Sequence, residues 1–161
     1  EVRHARLAFD VVSAWGDGPA RPGGLPLDGA LGAVERSAWL VETIRGGCVA
    51  ETISAMHVAE MARRVRDPDL AQALRAVADD EARHAELAWA AVRWCVRDDP
   101  SLASVAQATF DALTEPPLPP QDPDADRLAA HGVLSARDQA AIAAHVLDRV
   151  IRPCAALVVA C

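Results

Sequence analysis

Two segments of the chain carry a glutamate and a histidine three residues apart. Glu1 and His4 stand in EVRHARLAF, and Glu81 and His84 stand in EARHAELAW. Setting Glu1 against Glu81 also matches Arg3 with Arg83, Ala5 with Ala85, Leu7 with Leu87, Ala8 with Ala88 and Val12 with Val92. Phe9 then falls on Trp89, another aromatic. The shared unit is Glu-x-x-His at the head of an apolar helix. That spacing puts a carboxylate and an imidazole on one helical face. A carboxylate turned into a core must be neutralised, paired or bound to a metal, because its isolated burial is strongly unfavourable. A cation shared by carboxylates and imidazoles meets that need. Mixed oxygen and nitrogen ligation suits iron or manganese better than a thiolate-rich zinc site. An ordinary surface pair is the competing reading of a single Glu-x-x-His, and the repeat is what favours ligation.

The helices that must position these groups show apolar seams. Around the second pair the seam reads Leu70, Leu74, Val77, Glu81, His84, Ala88, Ala91 and Cys95. Around the first it continues from Glu1 and His4 through Ala8 and Val11. The intervening helix has Val41, Ile44, Cys48, Glu51, Ala55, Val58, Ala62 and Val65 on one side. Glu51 is the single charge on that seam, whereas Glu42 and Glu60 lie roughly opposite. Three helices therefore each turn a carboxylate or imidazole towards a core. The remaining histidines fit less well. His57, beside Met56, is off the seam, His131 adjoins a Gly turn, and His145 with Asp148 has no repeat partner. All are read as surface or packing residues, and the four Trp as core.

Local chemistry marks the element boundaries. Glu1 to Trp15 reads as the end of an amphipathic helix, followed by a Gly/Pro linker from Gly16 to Gly32. Helical periodicity resumes near Val34 and runs to about Arg66. Asp67 is an N-cap with Pro68 in the first helical position, opening a helix to about Val96. Asp99 or Ser101 caps a shorter helix ending near Leu113. Residues 115–126 form a Pro-rich surface connection. Ser135 to Asp138 resembles a capping box and starts a last helix to about Ile151, which Pro153 kinks or ends. No segment alternates as a strand does, so the class is all-α.

Composition narrows the function. The chain has 161 residues, one domain's worth, with hydrophobic residues at 52% but aromatic residues at 4%. Alanine makes up the difference and favours close-packed helices. The formal net charge of −7 opposes nucleic acid and anionic membrane surfaces as main partners. No apolar run is long enough to span a bilayer. All 16 basic residues are Arg, and Lys, Asn and Tyr are absent, the mark of a GC-rich bacterial genome. The four cysteines, at 48, 95, 154 and 161, form no C-x-x-C knuckle. Cys48 and Cys95 read as buried thiols. Cytoplasmic and exported locations both fit.

DEARHAELAW (Asp80 to Trp89) and GCVAET (Gly47 to Thr52) resemble the ferritin-like superfamily, the di-iron carboxylate four-helix bundles, and among them bacterial ferritin-like domain proteins of unassigned activity. That family carries one Glu on each of two helices and Glu-x-x-His on each of the other two. The resemblance covers about residues 1–96. It implies two iron (or manganese) ions held by Glu1, His4, Glu51, Glu81 and His84. Asp80 resembles the position that hydrogen-bonds a ligand imidazole. The linker after Trp15 would be the long crossover of the fold. The resemblance further implies one ferritin-like domain over 1–161, with bundle helices in 1–97 and a helical extension in 98–161. Five of the family's six ligands are present. The sixth, the counterpart of Glu51, is expected on a helix preceding Glu1, as in an N-terminally truncated chain. A partner chain, as in a homodimer, is the alternative source. The implied activity is oxidation chemistry with O2 or peroxide. Non-catalytic metal binding or storage is a second reading. A helical interaction module is a third, disfavoured because the repeat is far longer than a solenoid unit.

Overall fold

The computed structural model describes residues 2–16, 18–24 and 32–159. Among these residues the chain is helical with no strand, so the all-α class holds. The chain divides into two compact units, 1–34 and 35–161.

The first unit is built on α1 (Val2–Trp15). After the helix the Ser13 hydroxyl accepts a hydrogen bond from the Ala20 amide at 2.8 Å, which turns the following chain back. Residues 17 and 25–31 of the Gly/Pro linker, Glu1 and the side chain of Trp15 lie outside the described residues.

In the second unit a long rod runs through α2 (Arg36–Glu42), a π-helical segment (Thr43–Glu51) and α3 (Thr52–Arg64). It folds back at a short joint into α4 (Pro68–Asp98). The joint works as its residues suggest. Asp67 Oδ1 accepts from the amides of Asp69 and Leu70, each at 2.9 Å, and Pro68 needs no donor partner at its position. The hairpin is antiparallel, with α4 packed along both α3 and the π segment.

A one-turn 3-10 helix (Pro100–Leu102), capped by Asp99, leads into α5 (Ala103–Asp111). The Pro-rich stretch then crosses the surface, held by Arg152 on Glu115 at 3.0 Å and by Arg137 on the Pro119 carbonyl at 2.9 Å. A short α6 (Ala125–Ala129) follows, which the sequence periodicity did not suggest. Gly132, at φ +82°, makes the next turn in a backbone region that disfavours side chains. The turn sits against Val65, Leu70 and Leu74 at the hairpin tip.

Ser135 caps α7 (Ala136–Val146), its hydroxyl accepting from the Asp138 amide at 3.0 Å. The helix does not end at Pro153. It widens into a second π segment (Leu147–Ile151) and continues as α8 (Arg152–Val159). Pro153 lacks an amide hydrogen and crowds the preceding turn, and a widened turn just before it relieves both demands.

The main core joins both halves of the second unit. Leu40, Ile44 and Cys48 from the rod and Val92 and Cys95 from α4 meet Ala106 and Phe110 of α5 and Val146, Ile151 and Val158 of the last helices. Residues 98–159 thus supply a large share of this core. A second, smaller cluster of Ala62, Val65, Ala71 and Leu74 closes the hairpin tip. Trp89 packs on the main core, but Trp39 and Trp94 are exposed rather than core residues. The Arg36 guanidinium lies over Trp94, 5.9 Å from the ring centre, and binds Asp98 at 2.7 Å. No helix among the described residues is long and apolar enough to cross a membrane.

Candidate metal centre

The buried residues of α4 fall at 71, 74, 78, 85, 88, 92 and 95, with Val96 beside the last of them. Steps of three and four alternate along this stripe, the mark of one helical face packed on a neighbour. One place in the series is missing, and Glu81 fills it. Its side chain is 12% exposed, flanked by Ala78 and Ala85. His84 lies one turn on, at the edge of the stripe, with a half-exposed side chain. The Glu81 carboxylate and His84 Nδ1 are 3.2 Å apart.

Across the hairpin the rod presents Leu40, Ile44 and Cys48, all fully buried and four residues apart. The π segment gives each turn an additional residue, so a four-residue step keeps one face. The segment ends at Glu51, and α-helical spacing resumes beyond it through Ala55, Val58 and Ala62. Glu51 is half-buried and faces α4. One ligand atom each from Glu51, Glu81 and His84 lies within 4.8 Å of the other two.

The surroundings limit which groups act as donors. Cys48, one turn before Glu51, is fully buried, and burial pushes its thiol up to about 12. It stays a neutral packing group. Thr52 donates to the Cys48 carbonyl at 2.6 Å, and the Trp89 indole N–H points at the Thr52 hydroxyl from 3.5 Å. Trp89 in turn lies parallel to Phe110, with ring centres 5.5 Å apart. One flank of the ligand group is therefore closed by packed, uncharged side chains.

Three of the sequence-derived ligands, Glu51, Glu81 and His84, are brought together. His4 lies on α1 of the first unit, and Glu1 lies outside the described residues. Asp80 accepts from the Arg83 guanidinium one turn along α4. His57 donates from Nε2 to the Gln139 carbonyl at 2.9 Å, while His131, beside its Gly turn, and His145 and Asp148 are exposed. Two features near the centre have only a faint sequence signal. The π segment has none beyond the four-residue step. The close approach of Gly47 to Ala88 is hinted at by the Gly46-Gly47 pair inside a helix.

The donor set of two carboxylates and one imidazole fits a metal ion of the iron or manganese type. Two acids beside an imidazole supply the negative charge that a divalent ion needs, and the Cys48 thiol nearby remains protonated. In comparisons with known proteins, no family model, no curated protein and no solved structure matches this chain.

Proposed function

We propose that the chain binds iron or manganese through Glu51, Glu81 and His84, and that it acts as an oxidoreductase of ferritin-like type towards O2 or peroxide. The observation that carries this reading is the convergence of three ligand atoms within 4.8 Å from two antiparallel helices. A bound redox metal would supply the electron transfer to the oxidant. The chain's own residues have simpler tasks. Glu51 and Glu81 offset the ion's charge and offer flexible oxygen donors. His84 adds an imidazole nitrogen whose orientation the neighbouring Glu81 carboxylate constrains. Trp89, Thr52 and the alanines of the stripe limit water on the core side.

The repeat extends the proposal to Glu1 and His4 as a second Glu-x-x-His ligand pair, and so to two metal ions in a ferritin-like four-helix bundle. The count of three converging ligand atoms favours a second reading, a single ion bound for storage or structure without turnover.

Metal analysis decides among these. The purified protein is loaded with Fe(II) or Mn(II) without oxygen, desalted and analysed beside Glu51→Gln, Glu81→Gln and His84→Gln. Retention by the wild type and loss in each variant supports the site. A wild type that keeps neither metal, or variants that keep as much as the wild type, would overturn it. His4→Gln reads the second pair: a drop from two ions to one supports it. Repeated consumption of O2 or peroxide by the loaded protein identifies an oxidoreductase, and none identifies storage or structure.

A further inference from the structure

Metal coordination tolerates errors of only a few tenths of an ångström, so whatever sets the spacing between the rod and α4 also sets the site. Antiparallel register places Gly47 opposite Ala88. Glu51 lies four residues after Gly47 and His84 four residues before Ala88, so the contact is one helical turn from the ligands. A β-carbon at Gly47 would overlap the Ala88 methyl while remaining 3.8 Å from its Cα. The two helices are held together here by the absence of one methyl group. The neighbouring Gly46 has nothing within 4 Å of such a carbon. Neither glycine has a positive φ, so backbone freedom does not explain the choice at 47.

On the other side of the ligands the hairpin is fixed by Ala62, Val65, Ala71 and Leu74. The site therefore hangs between two anchors, the tip cluster and the Gly47–Ala88 contact. Pushing the second anchor apart opens the hairpin like a hinge and carries Glu51 away from Glu81 and His84.

We propose that Gly47 is a positioning residue for the metal centre: its close contact with Ala88 sets the distance at which Glu51 meets Glu81 and His84. This inference rests on the metal-binding reading above.

The test is a Co(II) titration followed by the visible absorption of the bound ion, which reports its coordination geometry. The wild type, Gly46→Ala, Gly47→Ala and the double variant Gly47→Ala/Ala88→Gly are compared, with thermal unfolding of each metal-free protein measured in parallel. In the double variant the new methyl faces the Ala88 Cα at an ordinary contact distance, so the helices close again. The wild type and Gly46→Ala should bind alike. Gly47→Ala should bind about tenfold or more weakly, the loss typical of a disturbed support around metal ligands. Its absorption should also change, and the double variant should regain both affinity and spectrum. Equal binding by Gly47→Ala and the wild type would overturn the inference and leave the metal site standing. So would a loss that Ala88→Gly does not restore, whether or not the protein stays folded. A wild type without Co(II) absorption would overturn both this inference and the metal reading beneath it.

Discussion

Glu81 occupies the place in the α4 stripe where an apolar residue would pack best, and replacing it with leucine separates stability from function. In Glu81→Leu a side chain of similar length enters a position that is 12% exposed, beside Ala78 and Ala85. Burying leucine there is worth about 1.5–3 kcal/mol relative to leaving it in water. Against this stand the lost contact with His84 at 3.2 Å, about 1 kcal/mol, and some repacking, up to about 1 kcal/mol. The metal-free variant should therefore gain about 1 kcal/mol, in keeping with the exchange of other buried charged groups for apolar ones. In a domain of this size that is an increase in Tm of about 3 °C. Mn(II) reverses the order. At a concentration about a hundredfold above its Kd, a bound ion adds about 2.7 kcal/mol to the wild type, or roughly 8 °C, and nothing to the variant. Thermal unfolding by circular dichroism, with and without Mn(II), should show the two proteins exchange rank. The reasoning fails if metal-free Glu81→Leu unfolds well below the wild type and Mn(II) leaves the wild type unchanged. Glu81 would then be a structural partner of His84 rather than a ligand.

Two further predictions concern the frame around the hairpin. Ser135→Ala removes the acceptor for the Asp138 amide at the start of α7 and should cost about 1 kcal/mol, read as a lower urea midpoint with an unchanged slope. Hydrogen bonds from Arg63 and then Arg64 hold the Glu60 carboxyl at about 2, below its ordinary 4.5, and Asp138 is lowered by Ser135 and then Arg64. Depressed carboxylate values stabilise the fold fully above the ordinary range, and that contribution disappears as pH falls from about 4.5 through about 2. These groups are partly exposed, so the effect is on the order of 1 kcal/mol. Arg64→Met should flatten the acid limb of the stability profile over that window, and an identical limb in both proteins would refute the assignment.

The hairpin was readable because its signals are local. Asp67 and Pro68 fix the start of α4 by their own hydrogen-bonding capacity, and Ser135 does the same for α7. The seam of α4, and that of the rod beyond Glu51, follow from α-helical spacing, which places Glu81 and His84 towards a core before any contact is known. Before Glu51 the buried row begins at Leu40 rather than at the expected Val41, because the helix there is π-helical. The π segments were not readable, because a π turn differs from an α turn by one residue whose insertion depends on what the helix packs against. Around Pro153, where a kink or an end was expected, the same effect lets the helix continue through a widened turn. Trp89 packs as a core residue, but Trp39 and Trp94 do not, because a large ring at a helix position is core only if a neighbour covers that face, and no described residue of the second unit buries these two.

The sequence alone determined that carboxylate and imidazole groups sit at helix faces that are otherwise apolar, because residue type and i, i+3 spacing suffice for that. It also determined where α4 and α7 begin, through caps that act within three residues. Only tertiary structure decided that Glu51 reaches Glu81 and His84. The distance between residues thirty apart depends on how closely two helices pack, and that depends on a missing methyl at Gly47 and on the core that α5, α7 and α8 complete.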